Sequence, residues 1–331
     1  MKQILLIATG GTIAAVQTED GLSPSISTEE MIAYVPELHS ICNLDAVQPL
    51  NVDSTNIQPE EWCELAKIIK ENYEKYDGFV ITHGTDTMAY TAAMLSYLIQ
   101  KSTKPIVLTG SQKPINLDIT DGKMNLRDSV HYACNGNPGI YIVFNGKVIL
   151  GTRARKTKTK SYDAFESINF PTAALINGQH ITNFYRCAPK NDKPEFYTDL
   201  FPNVFLLKLS PGMEPDVLDY ISDKYQAIVI ESYGTGGIPF ADKRNFLKKL
   251  KTATEKGKFI VIATQVMLEG SDLGAYEVGS KVLQYNVLQD YDMTIEAAIT
   301  KLMWILAATT DYEEVKKLFY KTIHEDILFT P

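Results

Sequence analysis

Residues 76–87 read YDGFVITHGTDT. Here Phe79, Val80, Ile81 and Thr82 run straight into a polar turn, His-Gly-Thr-Asp-Thr. A short apolar run closed by a glycine turn fits a strand buried on both faces, as in parallel sheets. Ligands bind outside the carboxyl ends of such strands, so the turn is a candidate site. The segment is echoed at 225–237 by YQAIVIESYGTGG, and KPIVLTGSQ at 104–112 is echoed by KFIVIATQ at 258–265. Two echoes in the same order point to two related α/β units. In the second echo Gly236 and Gly237 stand where the first has its acid, so the reactive groups belong to the first unit.

Outward from this segment, strands are expected at 3–9, 79–82, 106–109, 140–144, 204–209, 227–231 and 259–264. Helical periodicity lies between them, the pattern of two doubly wound α/β domains with mostly parallel sheets. A helix is expected over 59–76: Pro59 suits its first turn, Glu60 and Glu61 oppose the positive dipole end, and Trp62, Leu65, Ile69, Tyr73 and Tyr76 share a face. Ser27-Thr-Glu-Glu30 reads as a capping box, and 87–100 and 294–308 read as further helices. Three prolines and several charges fall in 187–203. We expect a linker at 189–203 between an N-terminal domain, 1–188, and a smaller C-terminal one, 204–331.

Composition narrows the function. Of 331 residues, 45% are hydrophobic and 22% charged, ordinary for a globular chain. Forty acidic residues against 32 basic ones give a net charge of −8, which argues against nucleic acid as a partner. No apolar stretch reaches the ~18 residues of a membrane helix, so no membrane association is expected. The apolar start, Ile4 to Ala8, is short for a signal-peptide core of about 7–15 residues; a cytoplasmic protein is expected. Cys42, Cys63, Cys134 and Cys187 are scattered without a CxxC pair and read as packing residues, with no metal site.

Three expected strand ends carry polar clusters: TGGT at 9–12, THGTDT at 82–87 and TGSQ at 109–112. TGGT is not a dinucleotide fingerprint, because Thr12 and Ala15 hold the places of the later glycines, and P-loop, GxSxG and HExxH motifs are absent. A threonine hydroxyl is a weak nucleophile that needs a base. The run RARKTKTK at 153–160 is mostly a solvated loop, but one of its lysines, desolvated in a pocket, could supply that base. His83 reads as a hydrogen-bonded structural residue.

ATGGTIA at 8–14 and HGTDTM at 83–88 resemble the signature segments of the bacterial-type L-asparaginases, the asparaginase/glutaminase amidohydrolases. The resemblance continues through Thr109-Gly-Ser-Gln, Asp121-Gly, Asn125-Leu-Arg, Lys156 with Asp163-Ala-Phe-Glu-Ser, Tyr233-Gly-x-Gly-Gly and Asp292-Met-Thr, and is greatest to the cytosolic type I branch. It implies a flavodoxin-like N-terminal domain and hydrolysis of L-asparagine to L-aspartate and ammonia without metal or cofactor. It also implies a homo-oligomer built as a dimer of dimers. By the same resemblance Thr12 is the nucleophile and Thr85, Asp86 and Lys156 are a fixed catalytic set. Ser54 and Thr55 would hold the substrate α-carboxylate and Asp86 would face its α-ammonium. Gly11, Gly84 and Ser111 complete the expected substrate-binding residues.

Two positions depart from the pattern. Leu22 stands where many members carry a lid tyrosine, which leaves the base for Thr12 open, with Tyr162 one alternative; Gly237 stands where some secreted members have asparagine. Direct water attack assisted by Thr85 also stays open. The competing functions are a glutamine-specific relative, the amidase subunit of a tRNA-dependent amidotransferase, and a non-catalytic amino-acid-binding protein.

Overall fold

The computed structural model describes residues 1–19, 21–186, 193–275 and 277–329. The chain divides into two compact units, Met1–Thr198 and Asp199–Pro331. The first begins with β1 (Gln3–Ala8), the antiparallel pair β2 (Ala15–Thr18) and β3 (Gly21–Pro24), α1 (Thr28–Ala33) and α2 (Leu38–Ile41). Next come β4 (Asn43–Val47), α3 (Pro59–Asn72), β5 (Gly78–Thr82), α4 (Met88–Leu98), β6 (Ile99–Gln100) and β7 (Pro105–Thr109). It continues through α5 (Gly122–Asn135), β8 (Gly139–Phe144), β9 (Lys147–Leu150), β10 (Ala154–Lys156) and β11 (Phe165–Ser167). It closes with β12 (Ala174–Asn177), β13 (His180–Asn183) and β14 (Glu195–Phe196).

The large sheet runs β13-β12-β9-β8-β7-β5-β1-β4. Its parallel part is β4-β1-β5-β7-β8; numbered along the chain, that order is 2-1-3-4-5, the flavodoxin-like arrangement. Its switch point lies between β1 and β5, where the ligand crevice of such sheets opens. β9, β12 and β13 extend the sheet antiparallel.

The strands are where the apolar runs placed them because both faces are buried. Ile4, Leu6, Val80, Val107, Tyr141 and Val143 pack in one core with Leu126 and Val130 of α5 and with Leu38 of α2. The alternate residues Leu5, Ile7, Phe79, Ile81 and Leu108, also buried, face the other layer. Each such side chain contributes about 1.5–3 kcal/mol by leaving water. The expected 59–76 helix ends at Asn72, with Glu60 and Glu61 in its first turn and Trp62, Leu65 and Ile69 buried. Ser27 and Glu30 form the expected capping box. Cys42 and Cys134 pack beside each other in the core; Cys187 lies outside the described residues.

The second unit holds β15 (Val204–Lys208), α6 (Val217–Lys224), β16 (Ala227–Ser232), α7 (Phe246–Glu255) and β17 (Phe259–Thr264). It ends with α8 (Glu277–Val282), β18 (Val287–Gln289), α9 (Ile295–Ala308) and α10 (Tyr312–Tyr320). Its four strands are parallel and lie in chain order. Ile228, Ile230, Ile260 and Ile262 meet Leu218 and Ile221 of α6 and Leu250 of α7 on one face. The sequence echo thus reflects similar strands and turns, whereas the order reversal that opens a crevice occurs in the first sheet. Of the expected linker, 189–192 lie outside the described residues, and β14 pairs with β6. Among the described residues no helix is long and apolar enough to cross a membrane.

Candidate active site

The three polar strand ends meet because β1, β5 and β7 are neighbours. Thr9 Oγ1 donates to Thr82 O at 2.9 Å, and the His83 N–H donates to Thr109 O at 2.8 Å. At the switch point the two glycine turns touch. Gly11 has φ 75° and ψ −176°, and a Cβ there would overlap the Gly84 N and Cα and lie 2.9 Å from the His83 carbonyl carbon. Gly84 in turn abuts Ser54: a Cβ on it would lie 2.7 Å from both Ser54 Cβ and Oγ. Two residues without side chains therefore let Thr12 and Thr85, which follow them, emerge from adjoining backbone.

Thr12 opens a short 3-10 turn leading into the β2–β3 pair. Its hydroxyl is partly exposed and, among the described residues, unpartnered. Leu22, half exposed, pairs with Gln17 in that hairpin. The Tyr162 ring lies 5.8 Å from Lys113 Nζ. Thr85 is buried. Lys156, at the end of β10, donates from Nζ to Thr85 Oγ1 at 2.7 Å and to Asp86 Oδ1 at 2.6 Å. The lysine side chain is 15% exposed and the Asp86 side chain 59%, so the ammonium is sunk in the site while the carboxylate faces outward. Of the basic run, Lys156 is the residue carried to the strand ends; Lys158 pairs with Asp163 instead.

The loop after β4 supplies Ser54 and Thr55. Gly11 N–H donates to Val52 O and Val52 N–H to Thr9 O, both at 2.9 Å, which lays this loop along the end of β1. Ser54 is buried, and its carbonyl accepts from Thr87 Oγ1 at 2.7 Å. Asp53 caps the turn by accepting from the Thr55 N–H at 2.9 Å and from Thr55 Oγ1 at 2.7 Å. Ser111 is buried with its hydroxyl donating to Lys113 O inside its turn.

Asp121 and Asn125, to which the sequence alone gives no role, shape the third strand end. Asp121 accepts from the Gln112 N–H at 2.9 Å and the Lys113 N–H at 3.1 Å, and Asn125 Nδ2 donates to Gly110 O at 2.9 Å. Burial raises the Asp121 carboxyl, against the pull of those N–H groups. Gln112 Oε1 accepts from Thr85 Oγ1 at 3.4 Å, and its amide donates to Ser161 O at 3.1 Å. His83 is buried, and desolvation lowers its imidazole to about 4 against the smaller opposing effects of Gly84 O and Asp53. It is neutral at ordinary pH. The sequence marks Asp121 and Asn125 as parts of family segments but gives neither a role, because the groups they hold, the Gln112 and Lys113 N–H and Gly110 O, are backbone atoms of the turn after β7.

Fold and site define an α/β protein with two hydroxyls, an ammonium and a carboxylate gathered at a sheet switch point, a group set suited to acyl transfer. Residues 3–188 match the family model for the asparaginase N-terminal domain, and 203–319 that for the glutaminase/asparaginase C-terminal domain. The chain belongs to the asparaginase family. It is 40% identical over 326 residues to the L-asparaginase of Thermococcus kodakarensis, covering 98% of this chain and 99% of that one. The structure of the thermostable L-asparaginase from that organism superposes with a TM-score of 0.93 at 39% identity, covering 99% and 100% of the two chains. L-asparaginase 1 of Escherichia coli K12 is 33% identical over 335 residues, 98% of each chain. A component of the glutamyl-tRNA(Gln) amidotransferase of Pyrococcus furiosus is 34% identical over 332 residues, spanning 96% of this chain but 75% of that component.

Proposed function

We propose that the chain is an L-asparaginase, which hydrolyses the side-chain amide of L-asparagine to L-aspartate and ammonia. The observation that carries this is Lys156 Nζ bridging Thr85 Oγ1 and Asp86 Oδ1 beside the Gly11–Gly84 contact. It supports two stations: a free hydroxyl at Thr12 and a fixed hydroxyl–ammonium–carboxylate set. In the first step Thr12 Oγ1 attacks the amide carbon while its hydroxyl proton passes to the amide nitrogen, and the carbonyl oxygen becomes negative. Backbone N–H groups aimed at that oxygen stabilise it without reorganisation. Among the described residues no group accepts from the Thr12 or Thr85 N–H, which suits both to that task. Collapse breaks the C–N bond, ammonia leaves with the Thr12 proton, and the β-aspartyl ester stays on Thr12. Water held at the Thr85 hydroxyl, which Lys156 fixes, attacks the ester carbon; one of its protons passes to Thr12 Oγ1 as the ester C–O bond breaks, freeing L-aspartate.

Ser54 and Thr55 take the substrate α-carboxylate and Asp86 its α-ammonium. The outward face of the Asp86 carboxylate, 59% exposed, supports the latter. A second reading has Thr85 assist direct attack by water; it is favoured by the bond from Lys156 to Thr85 and the lack of a described partner on Thr12. Assembly as a dimer of dimers and residence in the cytoplasm rest on the family resemblance.

The test is ammonia release by purified protein from L-asparagine, D-asparagine and L-glutamine. L-asparagine is expected to be turned over fastest; no release from it, or a clear preference for L-glutamine, would overturn the assignment. Thr12→Val should still bind aspartate and release no ammonia.

A further inference from the structure

We propose that Trp62, Thr91 and His83 form a one-way hydrogen-bond relay that fixes the plane of the Gly84–Thr85 peptide, making Thr91 and His83 positioning residues for the reaction. The proposal rests on the reading of Thr85 as part of the catalytic set.

Three bonds make the chain: Trp62 Nε1 to Thr91 Oγ1 at 2.9 Å, Thr91 Oγ1 to His83 Nε2 at 2.9 Å, and His83 Nδ1 to Gly84 O at 2.7 Å. Their direction follows from chemistry. An indole N–H only donates, so Thr91 Oγ1 accepts from Trp62 and turns its own proton towards His83 Nε2. Among the described residues that proton has no other acceptor, so the nitrogen accepts it and the ring proton sits on Nδ1. The other end demands the same tautomer, because a carbonyl only accepts and Gly84 O needs a donor at Nδ1. All three side chains are buried, so an unmet donor or acceptor among them finds no water. Burial also lowers the imidazole to about 4, which keeps the ring neutral and the direction constant.

The relay ends on a backbone atom that the site cannot let move. A peptide is planar and trans, so holding Gly84 C=O towards the ring aims the Thr85 N–H the opposite way. Gly84 Cα, the first atom of that peptide unit, lies against Gly11 and Ser54. Rotating the peptide would turn the Thr85 N–H and shift the hydroxyl that Lys156 holds. Small misplacements of this kind lower the rate of the bound complex rather than its formation.

The experiment measures steady-state ammonia release from L-asparagine for the wild type, Thr91→Val, Thr91→Ser and Thr85→Ala, together with the tautomer of His83 by long-range 1H–15N NMR on histidine-labelled wild-type protein. Thr91→Val, near-isosteric, should lower kcat about fivefold or more with KM within about twofold. Thr91→Ser, which keeps the hydroxyl, should recover kcat to within about twofold of the wild type. His83 should carry its proton on Nδ1. Wild-type kinetics in Thr91→Val, a serine variant no better than the valine one, or a proton on Nε2 would each overturn the relay. Thr85→Ala separates the two levels: it should lose activity about 100-fold or more. Retention there sinks the catalytic reading, while the tautomer still decides the relay.

Discussion

Replacing Gly11 with alanine tests the contact that joins the two halves of the site. The backbone there, φ 75° and ψ −176°, lies in a region essentially confined to glycine, and another residue costs about 1–3 kcal/mol in it. The new Cβ would also overlap the Gly84 N and Cα. Those are backbone atoms at a buried strand end and cannot swing aside, so overpacking adds about 1–3 kcal/mol. The total is about 2–6 kcal/mol, which for a unit of this length lowers Tm by about 4–24 °C. Forcing the turns apart should cut kcat/KM about 100-fold or more. Gly178→Ala is the control: its φ is also positive, +61°, but nothing lies within 4 Å of the added Cβ. It should cost only about 1–2 kcal/mol and leave turnover unchanged. Thermal unfolding followed by circular dichroism, with an ammonia assay on both variants, gives the answer. Equal losses of Tm, or a Gly11→Ala variant with near wild-type kcat/KM, would refute the reasoning.

Three further outcomes are expected. Asp86→Asn should abolish the preference for aspartate over succinate in competitive inhibition; an unchanged preference removes Asp86 from ammonium recognition. Ser27→Ala breaks a capping box in which Ser27 Oγ accepts from the Glu30 N–H at 3.2 Å and Glu30 Oε2 accepts from the Ser27 N–H at 2.8 Å; it should cost about 1 kcal/mol in urea unfolding with ammonia release unaffected. The His83 imidazole is depressed from 6.5 to about 4 in the folded state, so between those values the unfolded chain binds more protons and stability falls as pH drops. The full loss is about 3 kcal/mol between pH 6.5 and 4. Carboxylates titrate there too, so urea unfolding of the wild type must be compared with His83→Gln, whose acid-side slope should be shallower; parallel slopes would remove His83 as the cause.

The central strands were legible because 3–9, 79–82, 106–109 and 140–144 are apolar runs buried on both faces. β4 was not: Asn43–Val47 is an edge strand of alternating exposure with an aspartate at its centre. The β2–β3 pair was hidden by Gly21 and Pro24, which read as breakers, and β12–β13 by polar ends around a glycine turn. Each turn of the site was visible as a cluster of hydroxyls and glycines. That β1 and β5 are neighbours with a reversal between them was not, because strand order depends on contacts remote in sequence. Ser54 and Thr55 could be placed only by family resemblance, since their loop reaches the site through backbone bonds of Val52 that carry no side-chain signal. The partnership of Trp62, Thr91 and His83 was illegible for a similar reason: on α3 and α4 the first two look like packing residues.

The measurement that bears most directly on a two-station mechanism is rapid-quench peptide mass spectrometry of Lys156→Met mixed with L-asparagine. With the water-activating station crippled and Thr12 intact, an aspartyl ester should build up on the peptide containing Thr12. A quenched protein that has released ammonia yet carries no adduct there would contradict the account.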